Sequence, residues 1–189
     1  MPQVVIENPV LNSPFREPGR HFLFDDEGIT DRIGEGRRPS SYFLPIAHPR
    51  TKERGTLAES WTKDRVKPND DVNRLRGRVS LWPARGWPGI TTTTRRLLEY
   101  WTRPERDNRL FFCQIEALET AIYITEAAHK NGDAWIENEL RAWNEHDNDG
   151  LPRVALKMAT GAGKTVFMAM LIAWQLLNKL ANPAKSRRG

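Results

Sequence analysis

Residues Lys157–Thr165, KMATGAGKT, decide how this chain is read. A general phosphate-binding loop runs Gly, four residues, Gly, Lys, then Ser or Thr. Gly163, Lys164 and Thr165 match the second half of that pattern, and Met158 stands where its first Gly would be. The flanks suit a loop between a strand and a helix. Val154-Ala-Leu156 and Met158 form a short apolar run of strand type, and Lys164 to Leu180 reads as a helix that is apolar on nearly every side. Gly161 and Gly163 allow backbone N–H groups to turn inward without a Cβ clash. Those donors, with the positive end of the helix, suit an anion. Lys164 would reach the β and γ phosphates as a point charge. Thr165 would place its hydroxyl on Mg²⁺.

Working outward, a helix apolar all round is expected to be buried on more than one face, as helices beside a parallel sheet are. The expected fold class is therefore α/β: the start of a RecA-like phosphate-loop lobe (first strand, loop, first helix) behind a mostly helical region. Three segments are expected. Residues 1–68 read as an irregular or extended arm, with HFLF and SYFLPIA as short strand candidates and 50–68 as a polar loop or linker. Residues 69–150 read as helical. Residues 151–189 read as the beginning of the nucleotide-binding domain.

Within the middle segment, Asn69-Asp-Asp71 offers helix caps, and Val72, Leu75, Val79 and Trp82 follow at helical spacing up to Pro83. Arg74, Arg76 and Arg78 lie opposite, a face that could touch phosphates or simply be solvated. RGWPGI reads as a turn. Thr91–Thr94 can cap a short helix ending before Pro104. One long helix is expected from about Glu105 to Lys130, stopped by Gly132. Another is marked by Ile136, Leu140 and Trp143, ending in the polar turn His146–Gly150.

Composition narrows the classes. The 189 residues carry a net charge of +5, with 39% hydrophobic and 28% charged residues. From Pro49 to Arg96 there are 12 Lys/Arg against 5 Asp/Glu, so this segment holds more than the whole excess of positive charge. That is compatible with a polyanionic partner. Cys113 is the only cysteine, which excludes an internal disulfide framework and fits a reducing, cytoplasmic setting. The N-terminus lacks a secretory pattern, and the apolar run Val166–Trp174 is too short to span a bilayer. The acidic triplet Asp25-Asp26-Glu27 reads as a solvated turn rather than a metal site.

The form Ala159-Thr160-Gly161-Ala162-Gly163-Lys164-Thr165 resembles motif I of the second helicase superfamily, in which the first Gly is commonly replaced. Enzymes of that kind use an upstream glutamine whose amide reads the adenine edge. Gln114, in RLFFCQIEALETAIY, is the candidate. With GRRPSSYFLPI, YWTRPERDNRLFFCQIEALETAIYITEAA and LPRVALKMATGAGKTVFMAMLIAWQ, the chain resembles the N-terminal part of the restriction and DEAD/DEAH-helicase family. That family includes the helicase (Res) subunits of type III restriction endonucleases.

The resemblance implies ATP with Mg²⁺ as cofactors and double-stranded DNA as partner. A modification or specificity subunit is a possible further partner, and no membrane is implied. It assigns ATP binding to Gln114, Thr160, Gly161, Ala162, Gly163, Lys164 and Thr165, with Thr165 on the metal.

Hydrolysis also needs a carboxylate to hold Mg²⁺ and position water. No Asp or Glu follows Asp149, and only 24 residues follow Thr165. The expectation is therefore an N-terminal portion of a larger enzyme, or a truncated frame, holding no catalytic residue of its own and binding nucleotide weakly. Two alternatives stand beside it: a fragment of another phosphate-loop ATPase, and a non-enzymatic basic module that binds DNA.

Overall fold

The computed structural model describes residues 8–25, 28–44, 66–147 and 153–183. It is a mixed α/β chain with two small two-stranded sheets. Backbone contacts divide it into two compact units, Met1–Arg74 and Leu75–Gly189.

In the first unit, β1 (Arg20–Asp25) pairs antiparallel with β2 (Gly28–Glu35). Arg20 lies opposite Glu35 and Asp25 opposite Gly28, with an irregular register between Phe22 and Phe24. HFLF is thus a strand, as expected. GITDRIGE gives little apolar signal, and it becomes β2 through its partner. The Arg38 guanidinium sits 4.3 Å from the centre of the Phe24 ring, a cation–π contact that shields part of an exposed aromatic face.

β3 (Ser41–Phe43) pairs antiparallel with β4 (Val66–Pro68). Residues 66–68 are therefore strand rather than the end of a loop. Asn73 extends this pairing: its Oδ1 accepts from Ser40 N at 2.7 Å and its Nδ2 donates to Ser40 O at 2.9 Å. The remainder of the expected linker, residues 50–65, lies outside the described residues. So do Asp26 and Glu27 of the acidic triplet and residues 148–150 of the polar turn.

α1 (Asp70–Leu81) starts where expected, with Asn69 Oδ1 accepting from Val72 N at 3.4 Å. In the second unit its last turns supply Val79, and Trp82 follows; both are buried. The Trp82 and Tyr123 rings meet edge to face at 5.1 Å, a favoured aromatic geometry. α2 (Thr92–Trp101) is capped by Thr91, whose hydroxyl accepts from Thr94 N at 3.1 Å.

The single helix expected over 105–130 does not form. α3 spans only Phe112–Ile122, followed by a π-helical turn at Tyr123–Ala127 and a 3₁₀ turn at His129–Asn131. Its start is fixed by Gln114, whose Oε1 accepts from Phe111 N at 2.8 Å. That satisfies one of the donors that any helix start leaves open. Its end widens because Ala128 N bonds to Tyr123 O, five residues back, a pattern that recurs at functional positions. The segment stops at Gly132 as expected, and α4 (Ala134–Asp147) follows.

α5 (Lys164–Ala181) is the helix expected behind the glycine loop. The strand expected before the loop is absent: residues 153–159 have no regular structure. A lone apolar run has no ladder to join, since a strand exists only with a neighbour. α5 packs on α2 and α3 and buries Phe167, Met170 and Trp174. Its other side carries Met168, Ile172, Leu176 and Leu180, all more than half exposed. Of the two faces expected to be buried, one is covered among the described residues. No helix among them is long and apolar enough to cross a membrane.

Candidate phosphate-binding loop

The glycine loop sits between the N-termini of two helices. Gly161 and Gly163 have φ of +78° and +72°, values that L side chains rarely adopt. Gly163 is the N-cap of α5, and its carbonyl accepts from Val166 N at 3.0 Å and Phe167 N at 3.2 Å. Thr160 and Gly161 are exposed, and Ala162 and Gly163 half-buried. Among the described residues, no acceptor meets the N–H groups of Gly161, Gly163, Lys164 or Thr165. The loop therefore presents free backbone donors together with the positive end of an 18-residue helix.

Lys164 folds back over this loop. Its Nζ donates to Ala159 O at 2.9 Å and reaches Met158 O at 3.4 Å. Met158, in the place of a glycine, thus contributes a backbone carbonyl to the lysine. The ammonium is already in the mouth of the loop, held only by neutral carbonyls. A phosphate oxygen would be the stronger acceptor, because both partners would then be charged.

Gln114 meets the loop from α3, 49 residues away in sequence. Its Nε2 donates to Gly163 O at 3.2 Å, and its side chain is buried, with the residue 4% exposed. A Cβ added at Gly163 would come to 2.2 Å from that Nε2. The neighbouring Cys113 Sγ lies 3.9 Å from Ala162 O. The structure thus brings together every residue assigned to nucleotide binding from the sequence. In it, the Gln114 amide engages the loop and its own helix start. Thr165 is exposed at the first turn of α5, and among the described residues no cluster of His, Cys, Asp and Glu could hold a metal ion.

The seat of α5 was not legible in the sequence. Glu126, in the π-helical turn, accepts through Oε1 from Thr94 Oγ1 at 2.7 Å and from Trp174 Nε1 at 3.0 Å. Its Oε2 accepts from Thr91 N at 3.0 Å. Asn178 closes the network, donating to Thr94 Oγ1 at 2.8 Å and accepting from Thr91 Oγ1 at 2.6 Å. Asn178, a polar residue inside an apolar helix, was the available signal. A buried carboxyl lies earlier in the chain, on α3. Glu119 Oε1 accepts from Trp87 Nε1 at 2.9 Å, and burial pushes its pKa up to about 7.

The basic face of α1 is partly committed. Arg78 Nε is 3.2 Å from Asp133 Oδ1, and Asp133 is buried. Asp133 also accepts from Tyr123 Oη, and burial with that carboxylate alongside pushes the tyrosine up to about 12. This arginine serves the fold.

Comparison with known protein families, with curated proteins and with solved structures yields no match to this chain.

Proposed function

We propose that the chain carries the ATP-binding element of an ATP-dependent, DNA-acting enzyme of the helicase-like restriction type, with residues 157–181 as the beginning of a RecA-like lobe. The observation that carries this reading is the loop itself. Two glycines at positive φ lead into α5 with free N–H donors, and Lys164 is poised over them. The fit to a polyphosphate is chemical as well as geometric. The donors are backbone amides and one ammonium, and the loop offers no carboxylate that would repel an anion.

In this reading Gly161, Gly163 and the first amides of α5 hold the phosphate oxygens, and Lys164 exchanges two carbonyl partners for the β and γ phosphates. Thr165 would hold the metal through its hydroxyl, and Mg²⁺, when bound, would supply neutralising charge. The loop and α5 hold no acidic group, and the proposal for this chain is nucleotide binding. Double-stranded DNA is proposed as the partner of the enzyme, and a modification or specificity subunit as its companion.

Saturation-transfer NMR with Mg·ATP tests the reading. The expected result is weak, saturable binding that Lys164→Ala removes while the fold is kept. Binding that survives Lys164→Ala unchanged would sink it.

A further inference from the structure

Gln114 is assigned to the adenine base by the family resemblance, yet its geometry has a different consequence. Both ends of its amide have partners within the chain. Oε1 takes the Phe111 N–H at the start of α3, and Nε2 gives its proton to Gly163 O, the N-cap carbonyl of α5. The residue is 4% exposed, so it offers little surface to an incoming base. It touches the loop at the glycine whose φ of +72° sets the direction of the amides that follow.

We infer that Gln114 is a positioning residue for the phosphate loop, a brace between the N-termini of α3 and α5, and that it acts on the polyphosphate whatever base is attached. The inference rests on the phosphate-loop reading above. Its physical content is simple. Without the Nε2 bond, the Gly163 carbonyl keeps only its bonds from Val166 N and Phe167 N, and its peptide is held less firmly. The Lys164 and Thr165 amides, which continue from that peptide, then lose their common direction. A brace of this kind affects the triphosphate group, while a base reader affects only nucleotides carrying the right base.

Gln114→Glu separates the two bonds. The carboxylate still accepts the Phe111 N–H but cannot donate to Gly163 O. Gln114→Met keeps the volume and removes both bonds, and serves if the buried carboxylate prevents folding. The full chain is titrated with Mg·ATP, Mg·GTP and base-free inorganic tripolyphosphate, followed by ³¹P NMR. Hydrogen exchange is read in parallel at Val166 and Phe167, whose N–H groups bond to Gly163 O, and along α3.

The expected result is a common loss of about five- to tenfold for all three ligands, the size of one hydrogen bond. Faster exchange at Val166 and Phe167 with α3 still protected in Gln114→Glu is expected alongside it. Weakening of ATP alone, with GTP and tripolyphosphate unchanged, would make Gln114 a base reader and overturn the inference. Unchanged exchange at Val166 and Phe167 in both variants would also overturn it. If the wild-type chain binds none of the three ligands, the phosphate-loop reading fails instead, and the exchange data decide the brace by themselves.

Discussion

Glu119 shows how one side chain couples this small core to pH. The residue is 7% exposed, and its carboxyl has Trp87 Nε1 as a donor. Burial opposes the charged form, and the nearby Glu116 adds to the effect, so its pKa is raised from 4.5 to about 7. The folded state therefore holds this proton where the unfolded state has released it. Below about pH 4.5 both states are protonated and the group costs nothing. As pH rises from 4.5 to about 7 stability falls, and above that the loss is constant. A shift of this size corresponds to roughly 3 kcal/mol at most. Glu119→Gln keeps an acceptor for Trp87 and removes the charge. Urea unfolding at pH 5 and pH 8 should find the variant close to wild type at pH 5 and more stable than wild type at pH 8. Parallel behaviour at the two pH values would show that Glu119 is not the group responsible.

At the scale of elements, the position of α5 depends on polar contacts as well as apolar ones. Thr94 is fully buried, and its hydroxyl joins α2 to Glu126, Trp174 and Asn178. Buried networks of this kind are specific because every member is satisfied, and costly when one is removed. Thr94→Val keeps the shape but removes one of the two Asn178 Nδ2 bonds and one of the two acceptors of Trp174 Nε1. The expected cost is about 1–3 kcal/mol, read from the urea midpoint, with faster hydrogen exchange in α5 than in α4. A loss confined to α2 would show that the network does not seat α5. The π-helical turn has its place here too. By adding a residue between Tyr123 and Ala128 it turns Glu126 toward α2 and α5, something a regular continuation of α3 would not do.

At the scale of the whole molecule, what could be read in advance followed local chemistry. The capped starts of α1 and α2, the stop at Gly132 and the glycine loop leading into α5 all rest on residues that act on their immediate neighbours. β2 and β4 were missed because their partners, not their own patterns, make them strands. The interrupted helix was missed because the Gln114 cap, though local, starts α3 later than the apolar spacing suggests, and because the Glu126 network is a contact across the fold. The strand expected before the loop failed for a related reason: Val154–Met158 has the pattern but no neighbour among the described residues. The same shortage of partners leaves one face of α5 apolar and open, with Ile172 64% and Leu176 54% exposed. Contiguous patches of this sort bind other apolar surfaces, so the chain should bind the dye ANS while fully folded and self-associate as concentration rises. Replacing Ile172 with Gln and Leu176 with Lys alters exposed positions only. The urea midpoint should therefore move by no more than the equivalent of about 0.5 kcal/mol, while ANS fluorescence falls and sedimentation shifts toward the monomer. If instead the double variant unfolds the chain, these side chains are packed against something in the folded state, and α5 is covered on both faces as its all-round apolar sequence first suggested.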